Sequence, residues 1–343
     1  KGRAVDVKQV GRELGVRYVV EGGVRKAANR VRISAQLIDA TTGVHIWADR
    51  FDGGIEDIFD LQDRMTERIV GAIAPTLQQA EIERAKRKPT ENLDAYDFFL
   101  RGMASFYARN RVATDEALRL FSRSFQIDPD LAAAYGLAAW CYAWRKMNGW
   151  MTDRPAESAE GARLARRALE IGGGDAVALA RAGHALAYLL GDVETAIAFL
   201  DRALALNPNL ATAWYLSGWV RVYSGEPDVA IEHQTRAMRL SPLDPDLNRM
   251  QIGIGFAHYI AGRYEDAASW AAKASRSEPA YSRLAVAACS AASNAMAGRM
   301  AEARRAMEAV RAVDPALRVA DLKEWTPLRR PEHAAKWAEG LRK

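Results

Sequence analysis

Five histidines, His45, His184, His233, His258 and His333, are the first place to look for chemistry in this sequence. None stands at the short separation from another His or Cys that lets neighbouring turns hold one metal. Cys141 and Cys289 lie far apart in apolar, Ala-rich segments. They read as buried free thiols, compatible with a reducing compartment. The glycine clusters EGGV (21–24) and IGGGDA (171–176) match neither a GxxxxGK[ST] nor a GxGxxG phosphate loop. The second comes after a helical pattern and reads as a helix stop. No GxSxG nucleophile turn is present. The two DPD triplets, 128–130 and 244–246, suit loops and caps better than a calcium loop. Asp and Glu are scattered over helix surfaces rather than paired. The basic run Arg84, Lys86, Arg87, Lys88 has a charge that suits a solvated helix C-terminus. The expectation is therefore no catalytic residue, no cofactor and no metal site.

The bulk composition agrees with a folded, water-facing chain. Of 343 residues, 49% are apolar and 27% charged, with 48 basic against 43 acidic side chains, a net +5. That excess is too small for this length to argue for nucleic acid, and none is expected as a partner. No run of 18 apolar residues appears, so no membrane segment is expected in this chain. The opening KGRAVDVKQVG shows no signal-peptide pattern, and an amphipathic segment is already under way. The chain reads as part of a longer protein, cut inside its first domain.

A repeat organises most of the chain beyond residue 95. Similar endings recur: FSRSFQIDPD (121–130), ARRALEIGGG (165–174), LDRALALNPN (200–209), QTRAMRLSPL (234–243), AAKASRSEPA (271–280) and MEAVRAVDPA (307–316). Twelve residues before each Pro, or before Gly173 where Pro is missing, stands a small residue: Ala117, Gly161, Ala196, Ala230, Ala267 and Ala303. Gly191, Gly225, Gly262 and Gly298 mark turns five residues ahead of four of them. The flanking segments carry apolar residues at three- and four-residue spacing, as amphipathic helices do. Antiparallel helices approach closely only where one side chain is short. Proline closes each second helix. A single such hairpin cannot bury its apolar face, whereas a stack can.

This pattern resembles the tetratricopeptide repeat, a 34-residue helix-turn-helix unit. The best copy, 211–244, carries Trp214, Gly218, Gly225, Ala230, Ala237 and Pro242. Departures are an insertion around NGWMTDRPAE (148–157), a lengthened PLDPD loop, an Ala-dominated first helix near 284–297, and Gly161 and Gly173, which loosen the second unit. The resemblance implies a mainly α fold, a right-handed α-solenoid of about six helical hairpins over 97–320. It also implies that the first helix of each unit lines a concave peptide groove. The residues so placed are Trp140, Trp144, Arg181, Tyr188, Tyr215, Trp219, Tyr223, Arg249 and Tyr259, with Phe106 and Phe256 beside them. Arg181 and Arg249 could grip a carboxylate. Packing between adjacent repeats is the alternative for each. His184 falls where the repeat family carries a small residue and reads as a tight, buried ring bonded to a neighbour. His258 reads as packing or groove lining.

The first eighty residues change period. Val31, Ile33, Ala35 and Leu37 alternate with polar residues as in a half-buried strand. Tyr18–Val24 and Val44–Phe51 read as further strands, TTG (41–43) as a turn, and Gly22-Gly23 as a bulge or close approach. Segments 5–14 and 55–77 read as helices, the second burying Ile58, Leu61, Met65, Ile69 and Ile73. The wording ELGVRYVVEGGVRKAANRVRISAQLIDATTGVHIWADRFDGG resembles the end of the TolB-like amino-terminal module of bacterial regulatory proteins. Such modules commonly precede tetratricopeptide repeats, with a class III adenylate/guanylate cyclase or a winged-helix domain further upstream. This sequence shows neither that cyclase family's paired metal-binding aspartates nor its nucleotide-binding segment.

The expected layout is a partial α/β TolB-like module at 1–80, a charged linker or helix end at 81–96, the stack at 97–320, and a capping helix or tail at 321–343 bearing Trp325 and Trp337. The expected role is cytoplasmic protein–protein interaction. The stack would bind a protein or peptide partner, or an upstream domain of the same protein, and so control an upstream output domain. Alternatives are the non-catalytic part of an adenylate/guanylate cyclase, part of a transcriptional regulator, or a structural scaffold.

Overall fold

The computed structural model describes residues 6–54, 58–88, 93–242, 244–276, 283–313, 315, 317–319 and 326–343, without the side chains of 54, 58–68, 70, 72 and 74. Pro279, Trp325 and the side chains of Ile58, Leu61 and Met65, all singled out in the sequence, lie outside that set. The chain divides into two compact units, Lys1–Arg87 with Arg239–Ser241, and Lys88–Met238 with Pro242–Lys343.

In the first unit α1 (Val7–Leu14) starts at Asp6, whose carboxylate accepts from the Lys8 amide, and stops at Gly15 with φ 64°. Three antiparallel strands come next in the order β1 (Tyr18–Ala27), β2 (Arg30–Asp39), β3 (Val44–Gly54). Alternation on β2 puts Val31 and Ala35 inward with Phe51, and Ile33, Trp47 and Ile69 pack against them. Gly22 and Gly23 pair in regular register with Ala35 and Ser34, so they form no bulge. They serve close approach instead: a Cβ on Gly22 would stand 3.2 Å from the Ser34 carbonyl oxygen. The sheet's irregularity falls between Leu37 and Ile38. Helix α2 (Ile58–Arg87) runs past 77 through the start of the expected charged joint. Its AEIERAKR ending forms helix readily. Arg84 pairs with Glu81 and Lys86 with Glu83, each one turn away. Glu81 also accepts from the Tyr18 hydroxyl at 2.5 Å.

The second unit is an all-helical, tetratricopeptide-type stack. Its hairpins are α3 (Ala95–Tyr107) with α4 (Arg111–Ile127), α5 (Ala132–Met147) with α6 (Arg154–Ile171), α7 (Ala176–Leu190) with α8 (Val193–Leu206), α9 (Ala211–Ser224) with α10 (Pro227–Leu240), α11 (Leu247–Ile260) with α12 (Tyr264–Ser275), and α13 (Arg283–Met296) with α14 (Met300–Val313). A last helix, α15, spans Pro331–Arg342. Ala117, Gly161, Ala196, Ala230, Ala267 and Ala303 are all buried. Gly161 does more than loosen its helix. A Cβ there would meet Leu189 Cδ1 at 2.6 Å and Tyr142 Cβ at 2.7 Å, so the packing requires its absence. The turn glycines Gly191, Gly225, Gly262 and Gly298 adopt φ between 73° and 82°, open to glycine at no steric cost. The first hairpin breaks that rule: Arg109 occupies the left-handed region there, at φ 54°.

Candidate functional site

The first helices of the hairpins form one inner row, α5 against α7, α7 against α9, α9 against α11 and α11 against α13. Small residues allow the approach; a Cβ on Gly136 of α5 would stand 3.0 Å from the Ala178 carbonyl oxygen of α7. All nine residues expected on this row, Trp140, Trp144, Arg181, Tyr188, Tyr215, Trp219, Tyr223, Arg249 and Tyr259, are buried. The structure brings them together as one aromatic cluster threaded with arginines.

Its centre is a ladder of guanidinium groups over rings. Arg109 lies 5.3 Å from the Trp140 ring centroid and 5.0 Å from that of Trp144. Arg181 lies 4.9 Å from Trp140 and 5.5 Å from Phe106. Arg249 lies 5.0 Å from Trp144 and 5.7 Å from Trp219. Trp140 and Trp144 stack at 5.4 Å, one turn apart on α5. Neither Arg109 nor Asp246 was singled out as a site residue in the sequence. The available signal was Arg-Asn at 109–110, where later hairpins carry Gly ahead of the residue that starts the second helix.

Charge is poorly balanced in this interior. Arg109 Nη2 meets Asp246 Oδ2 at 2.7 Å. Arg249 donates Nε to the Tyr215 hydroxyl at 2.5 Å and Nη2 to the Met147 sulfur at 3.4 Å, and neither is a carboxylate. Arg181 is 3% exposed, and its Nε and Nη1 have no hydrogen-bond partner among the described residues. A buried charge costs several kcal/mol. An aromatic face returns about 1–2 kcal/mol, so the rings alone leave Arg181 short of compensation. Lys146 adds a further cation, donating to the Tyr188 and Leu189 carbonyls at 3.0 and 3.2 Å. Burial holds its pKa below the ordinary lysine value.

His184 stands one turn after Arg181. Its ring lies between those of Trp140 at 6.1 Å, Tyr188 at 6.3 Å and Tyr223 at 6.2 Å. The expected ring bond to a neighbour is not made: both nitrogens lack a partner among the described residues. Aromatic faces surround it and offer no acceptor in its plane. Burial, with Arg249 and Arg181 nearby, pushes its pKa well below the ordinary value of 6.5. That shift favours the neutral form of the ring.

A cavity of about 80 Å³ opens beside the cluster. Tyr188, Trp219, Tyr223, Arg249, Phe256 and Trp337 are among the residues around it. Trp337 comes from α15, which lies along the inner row. Its ring packs on Phe256 at 4.7 Å and edge-on to Tyr259 at 5.1 Å. The Tyr259 hydroxyl donates to the Lys336 carbonyl at 2.7 Å. Just before α15, the Arg329 amide donates to the Tyr223 carbonyl at 2.9 Å, and its guanidinium meets Glu194 at 2.5 Å. Tyr223 and Tyr259 of the expected groove therefore already contact a segment of this chain.

A tetratricopeptide repeat family model matches residues 176–210. "Putative adenylate cyclase 3" from Rhizobium meliloti (strain 1021) is 41% identical over 175 residues, 51% of this chain and 30% of that protein. The match thus spans less than a third of that relative's length. Among solved structures, the APC/C hetero-tetramer Cut9-Hcn1 superposes with a TM-score of 0.54 at 15% identity, over 76% of this chain and 48% of the other. This likeness concerns the fold alone. PilW, a type IV pilus biogenesis factor, gives a TM-score of 0.47 at 16% identity, over 69% of this chain and 98% of its own.

Proposed function

We propose that the stack is a regulatory protein-interaction region whose inner row binds a helical segment of a partner or of an upstream domain. One observation carries this reading: the row holds α15 through a buried tryptophan and a tyrosine-to-backbone bond. A surface that seats one helix in this way has the chemistry to seat another, aromatic anchors giving contact area at low entropy cost. The test uses a fluorescent peptide with the sequence of residues 326–343. The wild-type chain should bind it weakly, because α15 occupies the site. Trp337→Ala should bind it at least about tenfold tighter, the 1.4 kcal/mol equivalent of freeing the site. A Trp337→Ala chain with wild-type helicity that ignores the peptide would sink the reading.

The likeness to a protein named as a putative adenylate cyclase favours a second, compatible reading. In it the parent protein makes a cyclic nucleotide from ATP or GTP, the first unit is the end of a TolB-like module, and the setting is cytoplasmic. This chain then carries control rather than chemistry. Turnover of ATP with Mg²⁺ by the purified chain would overturn that division of labour.

A further inference from the structure

We propose that the stack has a closed and an open state, and that the buried pair Arg109–Asp246 is the clasp between them. In a solenoid each unit packs on its neighbours. Here the turn of the first hairpin reaches the start of the fifth. Arg109 Nη2 donates to Asp246 Oδ2 at 2.7 Å, with both side chains at most 4% exposed. One turn into α11, Arg249 reaches back to the second hairpin. Its Nη2 lies on the Met147 sulfur at 3.4 Å and its guanidinium 5.0 Å from the Trp144 ring centroid. Side chains thus bridge units that have others between them.

Two local rules are broken to make the clasp. Every later hairpin turn carries a left-handed glycine, Gly149, Gly191, Gly225, Gly262 or Gly298, whereas the first carries Arg109 in that conformation. A side chain there is strained. Asn110, Asp153, Asp175 and Asp192 each cap the helix that follows with a side-chain oxygen. Asp246 stands at the same position ahead of α11 and makes no such bond. Its Oδ2 is committed to Arg109, and its Oδ1 is buried with no partner among the described residues. The carboxylate therefore has two competing uses. In the closed state it holds Arg109, and in the open state it caps α11.

Electrostatics narrow the gap between the two states. The enclosed row holds the guanidinium groups of Arg109, Arg181 and Arg249, and Asp246 is the carboxylate that meets one of them. Burying like charges together raises the energy of the closed state. Aromatic faces lower it again: Arg109 lies 4.3 Å from the Phe106 ring centroid and 5.0 Å from that of Trp144. Opening uncovers those rings. The clasp thereby gates entry to the inner row. That consequence rests on the row being the docking surface proposed above, whereas the existence of the two states does not.

The experiment measures the distance between spin labels at Val112→Cys in α4 and Ala272→Cys in α12 of the full chain, both exposed positions. The labelled chain should show one dominant short distance. Arg109→Gly suits the left-handed backbone and removes the guanidinium. Asp246→Ser removes the carboxylate and keeps a cap for α11. Each should raise a longer-distance population at least about tenfold, with helicity unchanged. Wild-type distances in either folded variant overturn the proposal. If neither variant folds, a urea titration of the labelled chain without them decides. The longer distance should then appear before helicity falls, and simultaneous loss overturns the proposal. The peptide titration is a separate result: the clasp stands if the distances shift while Trp337→Ala ignores the peptide.

Discussion

Arg109 and Asp246 are 137 residues apart in sequence and 2.7 Å apart in space. The pair joins the turn of the first hairpin to the loop ahead of α11, with both side chains almost wholly buried. To make it, Arg109 accepts a left-handed backbone that costs a non-glycine residue about 1–2 kcal/mol. Asp246→Asn should destabilise the chain by about 3–5 kcal/mol, because it removes the carboxylate charge that balances a buried guanidinium. Arg109→Gly combined with Asp246→Asn should cost less than the sum of the single changes by about 1–3 kcal/mol. Urea unfolding of the four proteins measures that difference, and strict additivity would show that the ion pair is not an energetic unit.

Acid should weaken the fold through His184. Its folded pKa lies well below 6.5, so the unfolded chain takes up a proton first as the pH drops. Stability present above the unfolded value is then lost below about pH 6.5, at up to about 1.4 kcal/mol per pH unit for this group. His233, His258 and His333 shift in the same direction and leave a residual slope. Unfolding measured between about pH 7 and about pH 5 should therefore flatten, without becoming level, in His184→Phe.

Gly161→Ala separates helix propensity from packing. Propensity alone predicts a gain of about 1 kcal/mol. The 2.6 and 2.7 Å approaches to Leu189 and Tyr142 predict a loss of about 1–3 kcal/mol, and packing should win. A higher melting temperature for the variant would reverse that ranking.

Neither thiol should react in the native protein. Burial pushes both Cys141 and Cys289 up to about 12, leaving almost no thiolate near neutrality. A colorimetric disulfide reagent should titrate both only after denaturant is added. Rapid native labelling of either one would contradict its burial.

The column of short residues made the hairpins legible, because tight helix packing imposes one local rule in every unit. Gly191, Gly225, Gly262 and Gly298 were legible for the same reason. Arg109 was not: a left-handed arginine is reasonable only with Asp246 opposite, and that pairing is not local. The aromatic row could be named but not its enclosure: Trp337 reads as part of a cap on the open end of the stack, and only the fold seats it on Phe256 and Tyr259 of the inner row. Gly22 and Gly23 carried the converse ambiguity, because a strand glycine marks either a bulge or a close approach and only register separates them. The full length of α2 was missed because its charged end reads equally well as a solvated joint.

Gln234 of α10 is wholly buried and donates to the Tyr215 carbonyl at 3.2 Å. Its amide sits against two bare backbones: a Cβ on Gly218 would come within 2.7 Å of it, and one on Gly253 within 2.6 Å. Three positions from three helices thus behave as a single key and its two wards. An alanine at 218 or 253 therefore requires the Gln234 side chain to shift or to be shortened first, so a change at one of the three positions sets what the other two can hold.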